Sequence, residues 1–219
     1  MPGEEKERPA SLYWRGRVAM AMNRPLAAVA LYRRSLDGNV EKPAEAWVAL
    51  GWAYHGLQRF PEAIAAFREA VRIEPDEDQG LHGLATALKD GGDAGSAVEI
   101  NERRIALNPG NALAWRQLGF AQATLANPEK SIPALERSIE FDPKQGRNWL
   151  VLIMQYHLAD RHDDLRRAYE KLRSIDTQFA AQYRTSHPGA GEGYFTGARG
   201  DRFERLSCAG LGARILGSN

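Results

Sequence analysis

Apolar and small residues return at a fixed interval along most of the chain. Steps of 34 residues from Trp47 reach Leu81, Trp115 and Trp149, and the same steps from Leu50 reach Leu84, Leu118 and Leu152. From Pro75 they reach Pro109 and Pro143, and lapse at Thr177. Small residues follow the same rule at Gly51, Ala85 and Gly119, and at Ala63, Ala97 and Ser131. Within one interval the apolar positions have the spacing of helices. Trp47, Leu50 and Tyr54 fall at i, i+3 and i+7 on one face, and Phe67, Ala70 and Val71 form a second stripe. Gly51 and Ala63 are small enough for the two helices to cross closely. Pro75 ends the second helix and drives Glu74 out of helical geometry. Pro61 sits where a helix begins, and Gly91-Gly92-Asp93 supplies a turn and an N-cap. One such hairpin cannot bury its apolar face alone, so the pattern predicts stacked hairpins and an all-α chain.

The segment Ala44 to Glu77 holds Trp47, Leu50, Gly51, Tyr54, Ala63, Phe67, Ala70 and Pro75 in order. In this it resembles the tetratricopeptide repeat (TPR). Further copies occupy 78–111, 112–145 and 146–179. A degenerate copy over 9–43, marked by Leu12, Gly16, Ala28, Tyr32 and Ser35, runs one residue out of register. The resemblance implies a right-handed superhelical solenoid of helix-turn-helix units with a C-terminal capping helix. That helix is expected over 176–185, begun by Asp176 and carrying Phe179 and Tyr183. Residues 1–8 and the Gly-rich segment 186–219 read as flexible ends.

Three positions depart from the repeat. Asn101 and Arg104 stand where the preceding copy has Phe67 and Ala70, and Gln122 stands where its neighbours have Leu88 and Tyr156. Either Arg104 runs past Ile105 to solvent, or Asn101, Arg104 and Gln122 form a hydrogen-bonded cluster. Pro133 falls inside a second helix, where a local bend is expected.

In the family, the first helices line a concave groove that takes a segment of a partner protein. Carried onto this chain, the groove positions include Arg17, Trp52, His55, His82, Thr86 and Lys89, followed by Arg116, Phe120, Arg147, Leu150, Met154 and His157. Trp52, Phe120, Leu150 and Met154 are then large apolar groups facing water, which marks a binding surface. The bases Arg17, Lys89, Arg116 and Arg147 stand against one acid, Glu45. The groove is therefore expected to favour a peptide with hydrophobic anchors and acidic flanks. Trp47, Trp115 and Trp149 fall in the structural slot and are expected in the core. Arg17, Trp52 and Thr86 occupy the slot where the family's carboxylate-gripping class has asparagine, so that clamp is not expected.

Composition narrows the picture only a little. The formal net charge of +1 gives no overall field for nucleic acid. The one cysteine, Cys208, forms no internal disulfide and fits the cytoplasm. The longest apolar run, Leu26 to Leu31, is too short to span a bilayer. No cofactor motif follows a strand, and His55, His82 and His157 lack the spacing of a metal site. Gly189, Gly191 and Gly193 read as linker, Arg199-Gly200-Asp201 as a chance tripeptide, and His162-Asp163-Asp164 as a helix start. The sequence thus points to a non-catalytic scaffold without cofactor or metal. The alternatives are a regulatory or assembly module of a larger enzyme or membrane complex, and a self-associating repeat protein.

Overall fold

The computed structural model describes residues 8–38, 40–178 and 180–181. Ten helices and no strand are found among them. The chain divides into two compact units, one ending at Leu107 and the other beginning at Asn108.

The first unit holds α1 (Pro9–Ala21), α2 (Pro25–Leu36), α3 (Pro43–Gly56), α4 (Phe60–Ile73), α5 (Asp78–Asp90) and α6 (Ala94–Leu107). They pair as three hairpins, and each second helix also packs on the next first helix, α2 on α3 and α4 on α5. Proline opens α1, α2, α3 and α4 in the first turn, where its missing N–H is not needed. Asp93 caps α6 by accepting the Ser96 N–H at 3.0 Å, and Glu77 caps α5 through the Gly80 N–H at 3.0 Å.

Every hairpin turn is built alike. The second residue past each first helix lies in the left-handed region: Asn23, Gln58, Gly92, Ala126 and Asp160. The next N–H then reaches back to the last turn of the first helix: Arg24 to Ala19 O, Arg59 to Tyr54 O, and Asp93 to Leu88 O. Asn127 to Gln122 O and Arg161 to Tyr156 O repeat the bond in the second unit. These are Schellman closures.

Close crossing explains the small residues. A Cβ on Gly51 would lie 2.7 Å from Phe67 Cε1, and one on Gly83 only 2.1 Å from the same atom. Phe67, fully buried, is thus clasped between α3 and α5. Gly16 meets Tyr32 in the first hairpin as Gly51 meets Phe67 in the second. The out-of-register residue of the degenerate copy therefore falls between α2 and α3.

The second unit holds α7 (Ala112–Thr124), α8 (Pro128–Phe141), α9 (Gly146–Leu158) and α10 (His162–Ile175), with α8 packed on both α7 and α9. Helix α8 runs unbroken through Pro133, which faces solvent. Its core joins Phe120, Leu135, Ile153, Leu165 and Leu172 with Ala180 beyond α10. Asp176 accepts the Gln178 N–H at 3.0 Å and so starts a turn after α10. Of the expected capping helix, residues 177, 178, 180 and 181 are helical, while Phe179 and 182–185, with Tyr183, lie outside the described residues, as do Cys208, the segment 186–219 and most of 1–8.

The face of α9 toward α8 is polar where the other first helices are not. Ala46 and Ala53, Gly80 and Ala87, and Ala114 and Ala121 occupy the two equivalent positions in α3, α5 and α7. In α9 they become Asn148 and Gln155, both buried. Asn148 Nδ2 donates to Ser138 Oγ at 3.2 Å, but Gln155 Oε1 meets no donor among the described residues. A buried acceptor left so costs about 1–3 kcal/mol. Gln155→Met, close in volume, is expected to raise the stability of the second unit by about 1 kcal/mol in urea unfolding. A destabilisation would show that the amide is satisfied in solution.

Arg104 does not reach solvent past Ile105: it is only 1% exposed. Its guanidinium forks onto Asp78, Nε to Oδ1 at 2.8 Å and Nη2 to Oδ2 at 3.1 Å. Nη1 donates to Asn101 Oδ1 at 3.0 Å, and Asn101 Nδ2 donates to Ala97 O at 2.8 Å. The Asn101–Arg104 part of the expected cluster is therefore present, anchored on Asp78 at the start of α5. Gln122, also buried, belongs to the second unit.

Candidate groove of the first unit

Helices α1, α3 and α5 lie side by side and present one face each. Between them is a cavity of about 460 Å³, lined by Tyr13, Arg17, Glu45, Val48 and Trp52 with Gln79, and by Glu74 and Glu77 from the junction before α5. Trp52 is held edge-on against Phe67, with ring centroids 5.1 Å apart. Its other neighbours are His55 at 5.5 Å and His82 at 5.4 Å, so two groove histidines flank the indole.

His55 Nε2 lies 2.8 Å from Asp90 Oδ2, and Lys89 pairs with the other oxygen of the same carboxylate. Burial, the largest influence on Asp90, pushes its carboxyl up. The hydrogen bonds from His55 and Lys89 more than offset this and hold it below the usual carboxylate range. Lys89 is thereby engaged within the wall. Thr86 is buried and donates to the His82 carbonyl at 2.9 Å, a bond along its own helix. Arg17 is exposed at the rim, its guanidinium 4.7 Å from the centre of the Trp14 ring.

The second unit places its expected site residues differently. Phe120, Leu150 and Met154 do not face water; they are buried in the unit's core cluster. On α7 and α9 these large apolar groups join Leu165, Tyr169 and Ala180, and burial of that surface outweighs the exposed slot. Arg116 hydrogen-bonds Gln145, and its basicity is lowered by burial and then by the nearby Arg147. Arg147 lies over the Phe120 ring at 5.4 Å, and His157 is half-buried. Trp47, Trp115 and Trp149 are half-buried as well, and Trp149 packs against the core cluster. The indole N–H of Trp115 donates to the Pro109 carbonyl at 2.9 Å, and that of Trp149 to the Pro143 carbonyl at 2.8 Å.

The charge of the first unit's groove also differs from expectation. Glu74 and Glu77 join Glu45, so three acids face the single cation Arg17. Sequence reasoning took groove positions from first helices only and missed the junction acids. The signal was there in Glu77, whose N-cap position fixes it at the mouth of α5. Among the described residues no cluster of three His, Cys, Asp or Glu is placed to hold a metal ion. No helix among them is long and apolar enough to cross a membrane.

Residues 13–78, which cover α2, α3 and α4 and most of α1, match the family model described as tetratricopeptide repeat. The hairpin packing repeats that unit through both halves of the described chain. Residues 13–78 are tetratricopeptide repeats, and the same helical-hairpin fold continues through the described residues. The fold is shared with MamA from Desulfovibrio magneticus RS-1, at a TM-score of 0.72 and 17% identity over 80% of this chain and 97% of that one. YrrB, described as a TPR protein with an unusual peptide-binding site, superposes with a TM-score of 0.67 at 19% identity, over 83% of this chain and 94% of YrrB. Among curated proteins, the auxiliary subunit NAA15 of the N-terminal acetyltransferase A complex of Arabidopsis thaliana is 28% identical over 126 residues. That match takes in 58% of this chain but only 14% of NAA15.

Proposed function

We propose that this protein is a non-catalytic scaffold whose first-unit groove binds an extended segment of a protein partner. The observation that carries the reading is the 460 Å³ cavity with Trp52 in its wall. An apolar side chain of the segment packs against the half-buried indole, which Phe67, His55 and His82 hold in place. Glu45, Glu74 and Glu77 favour a lysine or arginine beside that anchor, in place of the acidic flank the sequence suggested. The described peptide-binding site of YrrB, on a similar fold, supports a peptide as ligand. With one cysteine in the chain, a reducing compartment such as the cytoplasm is the setting assumed.

An array of peptides pairing Leu, Ile or Phe with Lys, Arg, Glu or Asp at varied spacing tests this. Cationic members should bind, and Trp52→Ala should weaken them by about tenfold or more. Glu45→Lys should move preference toward acidic members. Binding indifferent to Trp52→Ala would sink the groove reading. The likeness to an auxiliary subunit favours a second reading, in which the array is an assembly module of a larger enzyme complex. Then the partner surface would be broad, and isolated short peptides would not bind.

A further inference from the structure

Helix α1 carries a second apolar face besides its buried one. Trp14, Val18 and Met22, at i, i+4 and i+8, are 58%, 57% and 56% exposed, and Leu26 at the start of α2 is 68% exposed. Single exposed apolar residues are ordinary, but four in line on one hairpin form a patch. The later hairpins show what this face receives. Gly16 meets Tyr32 as Gly51 meets Phe67, which aligns Trp14, Val18 and Met22 with Ala49, Ala53 and Leu57 of α3. One repeat further on they align with Gly83, Ala87 and Gly91 of α5.

In α5 that face is covered by α4. A Cβ on Gly83 would strike Phe67, and one on Gly91 would sit 3.2 Å from Phe60 Cβ and 3.6 Å from Ile64 Cδ1. Ala53 and Ala87 are wholly buried there. Covering this face is thus the work of a helix with apolar residues at i, i+4 and i+7, as Phe60, Ile64 and Phe67 are spaced. On α1 Ala49 and Ala53 of α3 and Gly83 and Ala87 of α5 are matched by Trp14 and Val18, so the face projects more apolar surface than its counterparts in this unit.

The surroundings fix the charge of the occupant. The described residues of this hairpin, 8–38, hold Arg8, Arg15, Arg17, Arg24, Arg33 and Arg34 against one acid, Asp37. A helix lying along α1 would have Arg15 and Arg17, exposed on the same helix beside the stripe, at its flanks, and acidic residues on such a helix would be drawn in. We propose that the outer face of α1 docks an amphipathic, acidic α-helix of a partner protein, lying on α1 as α4 lies on α5. This surface adjoins the groove at Arg17, which stacks on Trp14, but does not use Trp52.

The test uses the full chain and a fluorescein-labelled peptide of about four helical turns, with Leu and Ala on one face and Glu on the other. Two control peptides accompany it, one scrambled and one with Lys for Glu. Fluorescence anisotropy should show saturable binding of the acidic helix and at least about tenfold weaker binding of both controls. Val18→Asp and Met22→Asp, both at exposed positions that leave the core intact, should each weaken it by a similar factor. Trp52→Ala, in the groove, should leave it unchanged.

Equal binding of the scrambled peptide, or indifference to Val18→Asp, overturns the proposal. Loss on Trp52→Ala moves the peptide to the groove and overturns it too. Co-sedimentation with phosphatidylserine vesicles in the absence of helix binding would assign the face to a lipid surface instead. A Val18-dependent dimer in sedimentation, again without helix binding, would assign it to a second copy.

Discussion

Phe67→Ala is expected to destabilise the first unit by about 3–5 kcal/mol, the range for emptying a buried aromatic site. The ring is wholly buried in α4 and touches two other helices at positions that hold only glycine. Neither Gly51 nor Gly83 carries a side chain that could swing into the void, so any collapse falls to the Trp52 ring packed against it. The reverse substitution tests the same joint from the other side. Gly83→Ala would put a carbon 2.1 Å from Phe67 Cε1, and should cost about 1–3 kcal/mol through forced displacement of the ring. Urea unfolding followed by helical circular dichroism measures both. A cost under about 1 kcal/mol for Phe67→Ala would mean that α3, α4 and α5 do not meet as described. Because Phe67 also holds Trp52 edge-on, groove affinity should fall in the same variant before the fold is lost.

Arg104→Ala should cost about 2–3 kcal/mol, less than the loss of a wholly buried ion pair. Its partner Asp78 keeps a side chain that is 52% exposed, so the orphaned carboxylate can be hydrated. What cannot be repaired so easily is Asn101 Oδ1, which loses the donor at 3.0 Å, and the volume left by the largest fully buried side chain of the described residues. Arg104→Met, which fills much of the space without the charge, is expected to recover the part of the loss due to the cavity but not the part due to Asn101 Oδ1. Arg104→Lys should not, because a single ammonium cannot reproduce the fork onto both carboxylate oxygens. Stability of the Lys variant equal to wild type would show that charge alone, not fork geometry, holds the pair. Urea midpoints of the three variants decide between these outcomes.

The hairpin array was legible because its signals are side-chain volumes. Gly16, Gly51 and Gly119 are small where Tyr32, Phe67 and Leu135 are large, and the prolines mark the junctions. The left-handed turn residues were plainly legible only at Gly92. Asn23 and Asp160 are residue types that tolerate this conformation, whereas at Gln58 and Ala126 closure of the hairpin imposes it and nothing in their chemistry announces it. The groove was half legible. Trp52, His55 and His82 do come together, since helical spacing alone puts them on one wall. Phe120, Leu150 and Met154 were expected to face water and are buried, because a slot in a repeat says which way a residue points, not what packs over it. Arg104 was misread for a related reason. Its partner Asp78 lies 26 residues earlier, at the start of α5, and no local pattern joins the two.

The bonds from Trp115 to the Pro109 carbonyl and from Trp149 to the Pro143 carbonyl have an evolutionary consequence. Each acceptor belongs to the main chain, so substitutions between proline and tryptophan leave it in place, whereas an inserted or deleted residue would carry it away from the indole. These junctions are free to drift in composition and constrained in length. The junction between α2 and α3, with six residues between Leu36 and Pro43 against four between Ile73 and Asp78, is the one whose length departs from the others.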